Sequence, residues 1–242
     1  MRIKMPLFLR KRDTESTELM DRPDCNPQLL SNTYRYFRQI NRFLSGWDVV
    51  FHEYILPYVQ QHGYQKTYKL LDIGYGGGDI PIMLKKLAAS QDIRLQITAI
   101  DTDPRALEYV QQLPESLTKG ITFRCTDEQQ LLDEAQAGTY DFVVSNHLVH
   151  HLEGDTLRNL LRRSADLCRG YVLFNDLCRS DIAWTLFNGL TLFAFRDSFI
   201  RPDGLLSIRR SYTPDELHDI LPAGYEVRPL HPFRNLILNK TD

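Results

Sequence analysis

Cysteine is scarce in this 242-residue chain, and its distribution is exclusionary. Cys25, Cys125, Cys168 and Cys178 are scattered without a CxxC spacing, so neither a disulfide framework nor a thiolate zinc site is indicated. A reducing, cytoplasmic setting is the expectation. Charge of one sign is equally lacking: the net value of -2 calls for no nucleic-acid partner. A bilayer-spanning run is missing too. The longest apolar stretch, Ile182 to Phe195, contains Thr185, Asn188, Gly189 and Thr191 and is closed by Arg196 and Asp197. It falls short of the roughly 20 residues a membrane span needs and reads as a buried or pocket-lining helix. The opening MRIKMPLFLRKR is basic but has no apolar core or small-residue cleavage site, which predicts a solvated or loosely docked arm and no stable membrane insertion. Repeats and low-complexity segments are absent.

What is present suits a single α/β domain with an added cap: 43% hydrophobic and 25% charged residues supply an ordinary core. Residues 26–62 carry Leu29, Leu30, Tyr34, Phe37, Ile40 and Phe43 at helical spacing. After a turn at Gly63 the pattern changes to short apolar strands alternating with amphipathic helices. The strands are expected at Tyr68–Ile73, Leu95–Ile100, Ile121–Cys125, Asp141–Ser145, Tyr171–Asn175, Tyr225–Pro229 and Asn235–Leu238. Asp79 is expected to cap the helix after the first strand, Asp103-Pro104 to open the next, and Thr213-Pro-Asp-Glu216 to form a capping box. This alternation implies a doubly wound, Rossmann-like seven-stranded sheet with its last strand antiparallel. Residues 1–65 would form an arm and helical lid, and residues 66–242 the main domain with a cap insertion near 180–211.

The stretch LLDIGYGGGD, residues 70–79, is the most informative. Gly74, Gly76 and Gly78 follow a strand and precede a helix, where the backbone can turn tightly and approach a ligand. The dinucleotide fingerprint would need glycine where Asp79 stands, and no G-K-[ST] follows, which excludes a phosphate-cradling loop. An acid at a helix start repels pyrophosphate. Asp72 is placed to meet a ligand amino group, Asp101 at the second strand end to bond ribose hydroxyls, and Asp127 at the third to accept from an adenine amine. Taken singly, each is also explained as a strand-end carboxylate facing water.

The run Leu70–Leu152 resembles the motif series of class I S-adenosylmethionine-dependent methyltransferases: an acid, a glycine loop, a ribose acid, an adenine acid, then YDFVVSNHLVHHL. The resemblance implies S-adenosyl-L-methionine as cofactor. It would be held by Asp72, Gly74, Gly76, Gly78, Asp101, Thr102, Thr126, Asp127, Ser145 and Asn146. Tyr75 departs from the small residue or cysteine common in the family. Members with a histidine pair after the fourth strand suggest His150 or His151 as general base, with Asp176 orienting it or binding substrate. A structural role for the pair is the competing reading. A metal held by His147, His150 and His151 lacks a supporting ligand set, so no metal is expected.

The NPPY-like turn of enzymes acting on base or glutamine amines is replaced here by SNHL. Trp184, Phe187, Phe193 and Phe195 point to a hydrophobic acceptor, and Arg179, Arg196, Arg209 and Arg210 with Tyr212 to an acidic or phenolate one. The whole chain is similar to small-molecule methyltransferases of secondary metabolism and quinone biosynthesis. O-methylation of a phenolic, enolic or polyketide-like compound is the leading expectation, C-methylation of a quinone-like ring the nearest alternative, and a non-catalytic cofactor-binding protein a more distant one. A homodimer is left open.

Overall fold

The computed structural model describes residues 6–134 and 137–241. Its seven strands are β1 Tyr68–Ile73, β2 Leu95–Asp101, β3 Ile121–Cys125, β4 Tyr140–Asn146, β5 Cys168–Leu177, β6 Glu226–Leu230 and β7 Arg234–Lys240. They form one sheet in the order β3-β2-β1-β4-β5-β7-β6. β7 runs antiparallel to both of its neighbours, and the other pairings are parallel. The chain winds outward from β1 in one direction and from β4 in the other, so a crevice opens at the carboxyl ends of that adjacent pair.

The central strands are buried on both faces, and their period-two alternation divides the core. Leu70, Phe142, Val144 and Leu173 point to one side, against Trp47, Val50, Phe51 and Ile55. Leu71, Val143, Val172 and Phe174 point to the other, against Leu157, Leu160 and Leu161. Each such fully buried side chain contributes about 1.5–3 kcal/mol of burial, which fixes strand register because a one-residue slip would exchange the two cores.

The N-terminal helices cover one side of the crevice. α1 Pro27–Leu44 begins with Asn26 accepting from the Gln28 and Leu29 amides and with Pro27 in its first turn. It breaks at Ser45-Gly46 and resumes as α2 Trp47–Val50, a π-helical turn Phe51–Ile55 and α3 Leu56–His62. Pro57 cannot donate a backbone bond, in keeping with the wider turn that precedes it. α4 Asp79–Ser90 follows β1, and α5 Pro104–Gln111 starts at an Asp103 cap as expected. The remaining helices are α6 Glu115–Thr118, α7 Glu128–Glu134, α8 Gly154–Leu167, α9 Asp181–Thr191, α10 Ile200–Arg210 and α11 Pro214–Ile220, the last opened by the Thr213–Glu216 capping box.

Three expectations are corrected. Asp79 does not cap α4: left-handed Gly78 occupies the cap position without a side-chain bond, and Asp79 is the first helical residue, its Oδ2 accepting from Asn41 Nδ2 at 2.8 Å. From residue 6 onward the arm is not loosely docked; residues 1–5 lie outside the described residues. The Asp13 amide bonds to the Arg209 carbonyl, the Leu19 and Met20 amides donate to the Asp203 carboxylate, and Arg12 Nη2 donates to the carbonyls of His150 and Leu152. Among the described residues, the stretch Ile182–Phe195 is largely exposed and lines neither the cleft nor the chamber described below. Only Ala183 and Thr191 of α9 are buried, Phe187 packs under Gly204 of α10, and Ile182, Leu186 and Leu190 face outward. Composition identified an apolar helix; neighbours that come from elsewhere in the chain decide which of its faces is covered.

Candidate active site

The glycine loop is shaped by the packing around it. Gly78 has φ +71°, and a Cβ there would stand 3.1 Å from Val110 Cγ1 and 3.2 Å from Phe123 Cε1. A Cβ on Gly77 would meet the Tyr34 Cβ at 2.9 Å, so α1 closes directly onto the loop. The Gly76 amide donates to Asp101 Oδ2 and the Asp103 amide to Asp101 Oδ1, at 2.8 and 2.9 Å. That carboxylate therefore holds the loop and the end of β2 together. Burial raises its pKa against the pull of these amides.

A cleft of about 580 Å³ opens over these strand ends. Gly74, Gly76, Asp101, Thr102, Thr126 and Asp127 all line it, with Ile73, Ile100, Leu148 and Leu160 as apolar walls. Asp127 also accepts from the Gln130 amide at 2.8 Å and so starts α7. A smaller chamber of about 110 Å³ adjoins, sharing Gly74, Gly76, Tyr34, His147 and His151 with the cleft and adding Phe37, Asn146 and His150. Gly78 and Ser145 are not brought to either space. Gly78 serves helix–strand packing, and Ser145 Oγ donates to the Ile73 carbonyl at 2.7 Å, clamping β4 to β1.

Asp72 lies beneath the loop, 1% exposed, and its Oδ2 has no hydrogen-bond partner. Burial raises its pKa well above the carboxylate range, with Asp79 and Asp101 adding repulsion. An unpaired buried carboxyl group under a glycine loop fits a ligand that brings a positive amino group. The acids lining the cleft fit a ligand that brings ribose hydroxyls and an adenine amine as donors. S-adenosylmethionine has this set of groups.

The histidine turn is built around one buried ion pair. His150 Nδ1 lies 2.8 Å from Asp176 Oδ1, and the His150 amide donates to Asp176 Oδ2 at 2.7 Å. On the other side of the ring, Nε2 stands 3.3 Å from Glu18 Oε1, delivered by the arm. Burial disfavours the charged ring, but Asp176 and Glu18 outweigh it and push the His150 pKa up to about 10, so the ring is cationic at neutral pH. The same partner holds Asp176 far below the usual range despite its burial. His151 is 26% exposed and opens onto both spaces, its Nδ1 3.3 Å from Asp21 Oδ2. His147 is held the opposite way from His150. Burial, then the cation of Arg234, lowers its pKa well below 6.5, and Arg234 Nη1 lies 3.0 Å from its Nε2. Arg234 also binds Asn175 Oδ1 and Asn146 Oδ1, while Trp47 Nε1 donates to the same Asn146 oxygen.

A family described as the methyltransferase domain matches residues 31–227. The chain belongs to this family. It is an S-adenosylmethionine-dependent methyltransferase of class I.

Among curated proteins, the ribosomal protein L11 methyltransferase of Burkholderia thailandensis is 34% identical over 84 residues. That match spans 35% of this chain and only 24% of the relative's length. The plantazolicin methyltransferase BpumL, solved with SAH, shares the fold at a TM-score of 0.60, with 16% identity over 89% of this chain and 95% of its own. An S-adenosylmethionine-dependent methyltransferase from Aquifex aeolicus does so at 0.55, with 16% identity over 90% of this chain and 99% of its own.

The methyltransferase site contains residues that motif reading passed over. Glu18 and Asp21 lie far from the motifs in sequence, and no local pattern marks them. Arg234 precedes the expected Asn235–Leu238 strand and belongs to no motif. Three of the four arginines expected to receive substrate have other partners, and the fourth, Arg196, is exposed. Arg179 is buried, bonded to Glu216 and to the Ser211 and Leu9 carbonyls. Arg209 pairs with Asp13, and Arg210 donates to the Ser16 and His150 carbonyls. Tyr212 donates to the Leu152 carbonyl at 2.7 Å. These groups hold the arm in place, and none lines the cleft or the chamber.

Proposed function

We propose that this methyltransferase methylates a hydroxyl oxygen of a hydrophobic phenolic, enolic or polyketide-like small molecule. The observation that carries the reading is the histidine–carboxylate cluster facing a small chamber beside the glycine-loop cleft. Gly74, Gly76, Asp101, Thr102, Thr126 and Asp127 hold the cofactor, Asp72 lies buried beneath the loop with an unpartnered oxygen for its amino group, and Asn146 borders it from the chamber side. When bound, S-adenosylmethionine supplies an electrophilic methyl group on a sulfonium.

The chain's own residues then position and deprotonate the acceptor. His151 accepts the hydroxyl proton at one of its ring nitrogens, with Asp21 orienting the ring. His150, already cationic between Asp176 and Glu18, is a positioning group: its amide and ring are both fixed by Asp176, and the adjacent His151 is fixed with them. Neutral His147 lies beside Phe37, ring centroids 6.2 Å apart, and with Tyr34 and Met20 offers an aromatic acceptor an apolar flank.

The test is turnover of phenols and enols with methyl-labelled S-adenosylmethionine, followed by locating the label by NMR. Label on oxygen, with kcat lowered about 10²–10⁴-fold in His151→Ala, supports the reading. Label on a ring carbon overturns the O-methylation assignment, and unchanged kcat in His151→Ala overturns the assignment of the base.

A further inference from the structure

The face of α9 that α10 does not cover forms, together with the start of the arm, a continuous apolar stripe. Ile182, Leu186 and Leu190 recur every four residues on one side of the helix, and Leu192 and Phe193 extend the row. Leu190 is 72% and Phe193 82% exposed. Leu7, 76% exposed, and Phe8 lie alongside for a definite reason: the amides of Leu7, Phe8 and Leu9 all donate to the Asp181 carboxylate at the start of α9. The Phe8 ring also meets Trp184 edge-on at 5.9 Å. Most of the molecule's large exposed apolar side chains among the described residues are gathered here.

The charges are arranged around this stripe rather than within it. Ile182–Phe195 contains no ionisable residue. Arg10 and Lys11 are exposed beside Leu7 and Phe8, Arg10 Nε bonding to the Leu7 carbonyl. At the other end stand exposed Arg196, and Arg35 above Tyr36, whose ring contacts Phe195 at 5.3 Å. Asp181 is engaged by three amides, which leaves Asp197 as the exposed acid at that border.

We infer that this stripe docks on an anionic lipid surface, with α9, Leu7 and Phe8 lying in the interface. An uncharged apolar helix face with basic borders has the composition of such elements, and an exposed patch of this extent marks a contact surface. A second copy of the chain is the poorer occupant, because a two-fold contact through the stripe would bring the two basic borders together. Docking of this kind is peripheral: among the described residues, no helix is long and apolar enough to cross a membrane.

The test is co-sedimentation of the full chain with vesicles of phosphatidylcholine alone or mixed with phosphatidylglycerol. The expected result is binding to the anionic vesicles that weakens with added salt. Loss of binding is expected in Leu190→Asp/Phe193→Asp, and roughly fivefold weakening for each of Arg10→Ala and Lys11→Ala. Unchanged thermal unfolding of the variants shows that they are folded. Native protein remaining in the supernatant with both vesicle types at low salt overturns the proposal. So does a concentration-dependent dimer, abolished by the Leu190/Phe193 double substitution, in a protein that binds no vesicles.

Discussion

The cofactor cleft and the chamber beside it share walls but are assembled in different ways. The floor of the cleft is built from consecutive strand ends, each contributing its own loop: Gly74 and Gly76 after β1, Asp101 and Thr102 after β2, Thr126 and Asp127 after β3, with Met20 and Asp21 of the arm and Tyr34 of α1 along its side. The chamber joins residues far apart in the chain, with Glu18 of the arm 132 positions before His150 and 158 before Asp176, as their numbers show. A site of the first kind depends on short segments, whereas one of the second kind depends on the whole fold being complete. Substitutions should therefore divide, with those in the cleft acting on binding and those in the chamber acting on stability, arm docking and turnover.

The largest expected effect is that of Asp176→Ala, which removes the carboxylate that pins both ring and amide of cationic His150. Breaking a buried charge pair costs about 3–5 kcal/mol, measured as a shift in the urea unfolding midpoint. An effect below about 1 kcal/mol would mean that the chamber is not a cooperative unit. Asp101→Ala should weaken cofactor binding about tenfold to a hundredfold in calorimetric titration, the scale of charge-assisted hydrogen bonds. Unchanged affinity would break the comparison on the cleft side.

Glu18→Gln should leave cofactor affinity near native while costing about 1–3 kcal/mol, because His150 loses one of its two anionic neighbours. The arm should then become more susceptible to limited proteolysis. If cofactor affinity falls instead, the cleft and chamber are one energetic unit. The smallest expected effect concerns the Glu216–Arg179 pair, which anchors the arm from behind. Burial opposes the charged Glu216 carboxylate, but Arg179 and the Thr213 amide prevail and hold its pKa below 4.5. A depressed folded pKa means that the contribution is present above pH 4.5 and is lost as pH falls through the folded value. The Tm difference between the native protein and Glu216→Gln should therefore shrink as pH falls below about 4.5, whereas a constant difference would show that the ion pair contributes nothing.

The central strands were legible because burial on both faces requires apolar runs, and two independent core faces keep their register. The glycine loop was legible because a tight approach excludes side chains at Gly77 and Gly78. Two expected site residues, Gly78 and Ser145, have packing and clamping contacts of their own: a motif shows that a side chain is constrained without distinguishing the packing partner from the ligand. The outward turn of α9 was not legible. Its apolar composition is the same whether it faces a core or a surface, and the answer depends on where α10 and the arm lie.

From its sequence alone the protein is a class I methyltransferase with a doubly wound sheet, three acids at strand ends and a histidine turn after β4. Those features follow from local chemistry: strand and helix periods, capping residues, and glycines where backbone must bend. Only the tertiary structure decided that His150 would be a buried cation, His147 a neutral ring and His151 a half-buried ring beside Asp21. The physical reason is that a histidine's charge state is set by the groups packed against it. Glu18, Asp176 and Arg234 reach the rings of His150 and His147 only when the arm, β5 and β7 are all in place.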